Sequence, residues 1–189
     1  MRTQGRREPP VDPGHRAGRG AAGRRRDAVR AGRRRPGRRG RHPGRRRRQA
    51  PALTLPPLAA GDAIDLSRLR GPMVVSFWAS WCPPCRKELP ILQQFAEQWD
   101  GKVDVVGVDY TDPQAAAARA LVSEAGVTYP VVADLDGSVS GRGAIPTLRG
   151  LPYLVLLDAQ GRVVFGGYVV IDSRAHLEGL VERHLGVPA

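Results

Sequence analysis

Two cysteines, Cys82 and Cys85, are the only ones in the 189 residues, and they lie three apart in Trp81-Cys82-Pro83-Pro84-Cys85. A disulfide scaffold scatters its cysteines, so a single close pair points to a site. At the start of a helix, this spacing puts both sulfurs on one face of the first turn. Cα atoms three apart in a helix are separated by roughly 5–5.5 Å, inside the disulfide window. Such a pair can open and close with little backbone movement, which is the chemistry of thiol–disulfide exchange. The free N–H groups and dipole of a helix N-terminus favour a thiolate. Cys82, nearer the exposed end, is expected to attack, and Cys85, one turn in, to resolve the mixed disulfide. Pro83 and Pro84 carry no N–H, so two donors to the Cys82 sulfur are missing. Stabilisation is left to the dipole, the Cys85 N–H and nearby Arg86 and Lys87.

Other uses of a thiol pair need partners. Structural zinc takes four ligands, and there is no second Cys-x-x-Cys. His15 and His42 lie in the N-terminal fifty residues, and His176 and His184 are eight apart in a late helix. A peroxidase of related fold would need a Thr and Arg pattern around its reactive Cys, which is absent. A copper-carrying or redox-inactive binding module using the two thiols is the alternative from another class. No cofactor and no metal is expected.

The elements that position the pair read clearly. Met73–Trp78 is a continuous apolar run after Gly71-Pro72, as in a buried central strand. Cys82–Trp99 reads as a helix with Leu89, Leu92, Phe95, Ala96 and Trp99 on one face and Pro90 inside, a kink position. Ahead of these, 50–60 is a linker with an extended Leu53-Thr54-Leu55, and 62–71 holds a short strand leading to a turn. Val103–Asp109 is a second buried strand. Pro113–Ala125 is an Ala-rich helix with Pro113 in its first turn and Gly126 ending it. Tyr129–Ala133 is a short strand, and 137–150 is irregular. Tyr153–Leu157 and Arg162–Phe165 form a hairpin over Asp158-Ala159-Gln160-Gly161. Ser173 caps a last helix through Leu185, with Gly186 beyond. The order β-α-β-α-β, hairpin, α is an α/β domain with a mixed sheet.

Charge divides the chain. Residues 1–50 hold 19 Arg against three acids, a net of +16, whereas residues 51–189 hold 11 basic against 15 acidic residues, a net of −4; together they give the overall +12. Before Leu53 the only aliphatic side chains larger than Ala are Met1, Val11 and Val29, too little apolar area to offset chain entropy. Residues 1–50 are therefore read as a disordered Arg/Gly/Pro-rich tail, and 51–189 as the domain. Two functional readings of the tail are a nucleic-acid arm and attraction to anionic lipid. The tail lacks the aromatics and regular repeats of RGG-type arms. Its residues are those of GC-rich codons, so a mis-called or frame-shifted N-terminus is preferred, and nucleic acid is not an expected partner. No run of 18 apolar residues is present.

The stretch Ser76-Phe77-Trp78-Ala79-Ser80-Trp81-Cys82-Pro83-Pro84-Cys85-Arg86-Lys87-Glu88-Leu89-Pro90 resembles thioredoxin-like proteins of the TlpA/ResA/CcmG group, as do Gly150-Leu151-Pro152-Tyr153 and Asp158-Ala159-Gln160-Gly161-Arg162-Val163. The resemblance runs from about residue 53 to 186. It implies a thioredoxin fold, a central mixed sheet flanked by helices, and dithiol–disulfide exchange outside the cytoplasmic membrane. Implied partners are disulfide-containing proteins, such as apocytochrome c or a copper-site protein, and an upstream membrane dithiol reductase, with the protein acting as a monomer. Pro152, rather than Pro146, matches the group's cis-proline. Leu151 and Pro152 would dock substrate beside Trp81, Pro83 and Pro84. Glu88 matches the group's active-site glutamate, a proton acceptor for Cys85 if burial raises its pKa; its other reading is a solvated helix acid. One departure stands out: thioredoxin proper has a buried Asp six residues before its first Cys, and here that position is Ser76.

The missing donors of the double proline predict a reducing pair. Equilibration with glutathione should give a potential well below the about −120 mV of a strong oxidant, and a value that high refutes the expectation.

Overall fold

A computed structural model describes residues 49–188. The Arg-rich tail, as far as residue 48, lies outside the described residues. The elements are β1 (Thr54–Leu55), β2 (Ile64–Asp65), β3 (Met73–Trp78), α1 (Pro83–Gln98), β4 (Asp104–Tyr110), α2 (Ala115–Glu124), β5 (Val131–Asp134), β6 (Tyr153–Leu157), β7 (Val163–Gly167) and α3 (Arg174–Leu185). The main sheet has the order β5-β4-β3-β6-β7. β3, β4 and β5 run parallel, and β6 and β7 add antiparallel strands on the other side of β3. β1 and β2 pair separately.

β3 and β6 are buried along their whole length, as their unbroken apolar runs require of strands covered on both faces. Alternation along β3 sends Met73, Val75 and Phe77 to one face, where they meet Val106, Val108, Tyr110, Tyr153 and Val155. Val74 goes to the other face, where Leu92 and Phe95 of α1, Trp99 just beyond it, and Leu177 and Val181 of α3 cover it. Phe95 and Trp99 stack at 5.2 Å between ring centroids. Toward the C-terminal end of β3 the same face continues as a third cluster of Trp78, Cys82, Cys85, Leu89, Ala118 and Ala133. The cysteines therefore sit on the sheet end where parallel strands deliver their loops.

Most element boundaries agree with the sequence pattern, and the shifts have local causes. Pro113 precedes α2 instead of sitting in its first turn, because the Asp112 carboxylate accepts the Gln114 N–H at 2.9 Å and delays the helix. Val103 donates to the Trp99 carbonyl and so ends the α1 exit turn instead of starting β4. β5 starts at Val131, not Tyr129, because Gln93 of α1 holds Thr128 through its backbone N–H and its hydroxyl. β7 starts at Val163 because Arg162 is tied to Asp158 across the turn. α1 runs unbroken through Pro90, whose ring is exposed.

Ser173 caps α3 by accepting the His176 N–H, and Gly186 ends it with φ of 67°. The Ser173→Ala chain should lose about 1 kcal/mol in chemical denaturation of the oxidised protein. No loss of stability would mean that packing alone fixes where α3 begins.

Candidate active site at the start of the first helix

β3 ends at Trp78, and four residues later Cys82 becomes the N-cap of α1. Pro83 and Pro84 fill the first helical positions, where the missing N–H groups cost nothing. The first donor left at the helix end is the Cys85 N–H, and the Cys82 sulfur accepts it at 3.4 Å. The two cysteines are joined in a disulfide with a Cα–Cα separation of 5.3 Å, within the range expected from helical spacing.

The difference in exposure expected between the cysteines is small: Cys82 is 2% and Cys85 0% exposed. The exposed part of the motif is Trp81, at 49%, together with the Pro83 ring. Pro84 is half-buried. Access to Cys82 is thus set by the groups around it more than by its own surface.

The peptide bond Leu151–Pro152 is cis, whereas Ile145–Pro146 is not among the cis bonds. Pro152 is buried immediately before β6. Leu151 is half-buried and packs against the cluster that contains both cysteines. The loop leading to it is fixed by Tyr168, whose hydroxyl accepts the Arg149 N–H at 2.7 Å and whose ring meets Tyr153 edge-on at 4.9 Å. Tyr168 and Val170 are both exposed.

Glu88 is not a solvated helix acid. It is 2% exposed, one helical turn beyond Cys85 on the inward face of α1. Its Oε1 accepts the Ile171 N–H at 2.7 Å. Burial pushes its pKa up to about 7, and the Ile171 bond only partly opposes this. Tyr129 is buried nearby, and burial together with the Glu88 charge raises its pKa in turn.

Two further buried acids on the side of the cysteines escaped the sequence reading. Asp109, near the end of β4, is 0% exposed, and Asp112 in the following loop is 1% exposed. Asp112 Oδ2 accepts the N–H of Ser80, two residues before Cys82. Strand alternation carried a signal: Asp109 shares its phase with Val105 and Gly107, which face the helices. Tyr168 and Ile171 carried none, because their roles depend on contacts 19 and 83 residues away in sequence. Among the described residues no cluster of His, Cys, Asp and Glu has the arrangement of a metal site.

The model of the AhpC/TSA family matches residues 47–165. The thiol:disulfide interchange protein DsbE of Pseudomonas fluorescens biotype C is 35% identical over 136 residues, covering 71% of this chain and 72% of that protein. The thiol-disulfide oxidoreductase ResA of Halalkalibacterium halodurans is 28% identical over 125 residues, 65% of this chain. The chain spans 64% of the length of that ResA. The solved structure of a secreted Mycobacterium tuberculosis disulfide oxidoreductase homologous to E. coli DsbE aligns with a TM-score of 0.59 and 28% identity, over 70% of this chain and 96% of that one. The fold is the thioredoxin fold. No helix among the described residues is long and apolar enough to cross a membrane.

The raised pKa of Glu88 has a consequence for stability. Below pH 4.5 the carboxyl is protonated in both the folded and the unfolded chain. Between 4.5 and about 7 the unfolded chain gives up this proton while the folded one keeps it, so stability falls as pH rises and levels off above about 7. In the Glu88→Gln chain the fall of Tm across that window should be shallower. Equal slopes in the two oxidised proteins rule out a buried, ionising Glu88.

Proposed function

The chain belongs to the AhpC/TSA family, and on that premise we propose that it is a thiol–disulfide oxidoreductase that reduces disulfides in extracytoplasmic partner proteins. The observation that carries this reading is the Cys82–Cys85 disulfide at the N-terminus of α1, with the half-buried Leu151 packed against the cysteine cluster. The relatives whose names describe disulfide interchange, and the secreted neighbour, support it.

In the reduced protein the Cys82 thiolate attacks one sulfur of the substrate disulfide. A mixed disulfide forms, and the first substrate thiolate leaves and takes a proton from water. Cys85 then loses its thiol proton to the Glu88 carboxylate, which is poised near neutrality by burial. The Cys85 thiolate attacks the Cys82 sulfur and displaces the second substrate thiolate. The product is the Cys82–Cys85 disulfide, the state present in this structure. An upstream membrane dithiol reductase returns the two electrons, and no cofactor takes part.

The substrate lies across Trp81, Pro83, Pro84, Leu151 and Pro152. The buried Cys82 sulfur requires an unfolded or extended segment that can bring its disulfide down between Trp81 and the loop before β6. That requirement favours incompletely folded clients, such as an apocytochrome c during maturation. The protein works as a monomer in this reading.

Cys85→Ala removes the resolving thiol and leaves Cys82 able to attack. Incubated with an envelope extract, that variant should accumulate mixed disulfides that dithiothreitol releases, and Cys82→Ser should accumulate none. Insulin reduction should drop at least about a hundredfold in either variant, because each removes an obligatory step. Turnover of hydrogen peroxide with no trapped protein would replace this reading with a peroxidase. Stoichiometric copper binding without disulfide reduction would replace it with a metal carrier.

A further inference from the structure

The exchange steps leave Asp109 and Asp112 unused, although both are buried and Asp112 binds the loop that carries Cys82. In register Asp109 lies opposite Trp78 of β3 and Ala133 of β5. Those two residues belong to the cluster that holds Cys82, Cys85, Leu89 and Ala118. Asp109 is fully buried, and no hydrogen-bond donor of the described residues reaches either of its carboxyl oxygens. Its polar neighbour is another carboxyl, that of Asp112. Between the two acids lies Thr111, a β-branched residue with φ of 49°. That left-handed conformation is strained in a β-branched residue and persists only where surrounding contacts impose it. Asp112 Oδ2 accepts the Ser80 N–H, and Oδ1 accepts the Gln114 N–H at 2.9 Å.

Two bare carboxylates buried side by side repel each other strongly, and the usual resolution is that they share one proton. We propose that Asp109 and Asp112 are a proton-sharing positioning pair: Asp109, as a carboxylic acid, donates to the Asp112 carboxylate, and Asp112 holds the Ser80 backbone and so the placement of Trp81 and Cys82. This rests on the reading of Cys82 as the attacking thiol.

The surroundings agree with that division of roles. Burial and the facing Asp112 push the pKa of Asp109 up to about 7. Although burial works against it, the hydrogen bonds from Ser80, Gln114 and Asp109 hold Asp112 below the usual carboxylate range. The other elements at this place contribute few titrating groups. β3 offers Ser76 and Trp78, β5 offers Ala133, and α2 offers Ala118, none of which ionises near neutrality. Cys82 caps α1, which contributes Cys85 and Glu88, and Tyr129 precedes β5. Arg86, Lys87 and Arg119 are exposed. Asp134 is turned to the opposite face, where the Ser138 and Val139 N–H groups bind it. The pair also answers the departure at Ser76. That residue pairs with Gly107, and Asp109 stands two residues further along β4, one pleat nearer the cysteines on the same face.

The test uses the reduced full-length chain with no partner protein, so it returns a result even if the chain reduces no protein disulfide. Glu88 and Asp109 both have pKa values of about 7, so the titration is followed in the Glu88→Gln background. The Ser80 amide resonance should shift with a midpoint near 7 there and stay flat once Asp109→Asn is added. Alkylation of Cys82 by iodoacetamide at pH 7 should slow about tenfold in Asp112→Asn, the scale of one lost charge-assisted hydrogen bond. A Ser80 transition that survives Asp109→Asn overturns the proposal, as does an unchanged Cys82 rate in a folded Asp112→Asn chain. If circular dichroism shows Asp112→Asn unfolded, the Asp109→Asn titration decides alone.

Discussion

The hydrogen bond from the Cys85 N–H to the Cys82 sulfur is the constraint on which the rest of the site depends. A helix N-terminus leaves several N–H groups unpaired, and a side chain at the N-cap normally accepts one of them. Here the two following prolines have none to offer, so the N-cap sulfur and the third helical residue are the only local match. The same geometry that caps the helix brings the two sulfurs within bonding distance. One arrangement thus terminates the strand-to-helix loop and closes the disulfide. The fully buried β3 fixes where this happens, because the strand cannot shift its register without turning Phe77 and Trp78 to the wrong faces.

How much of this is written in the sequence depends on the range of the interaction. The motif, its helix and the strand before it are local, and they stand where the pattern places them. Ser173 and Gly186 are also local signals, each with a known capping geometry, and both bound α3 as expected. Boundaries set by distant partners were not legible. Thr128 is held by Gln93, 35 residues away, and that tie removes Tyr129 from its strand. Glu88 shows the same divide within one residue. Its position one turn past Cys85 could be read directly, but its burial depends on the Ile171 segment folding over it.

The buried acids show a conflict between stability and site chemistry. Three carboxyls, those of Glu88, Asp109 and Asp112, lie on the helix-covered side near the cysteines, where apolar residues would pack at lower cost. Each has a different environment. Glu88 receives one backbone N–H, Asp112 receives two, and Asp109 receives none from the described residues. That gradation separates their affinities for protons, so one small volume holds an ionised group and two groups near their midpoints at neutral pH. Environments pushed apart in this way are what acid–base work at a single pH requires.

The segment between β7 and α3 touches the site twice. Tyr168 binds the loop that ends at Leu151 and Pro152, and Ile171, three residues later, binds Glu88. On the proposed function, the surface that would meet clients and the acid that would set the acidity of the inner thiol therefore hang from one short peptide. The two properties are inherited together: an insertion or a swap within 168–171 moves both at once, and neither can drift alone by changes there. On the proposed function the connector is therefore a unit of variation: a change there would retune client choice and inner-thiol acidity together without altering the Trp-Cys-Pro-Pro-Cys stretch.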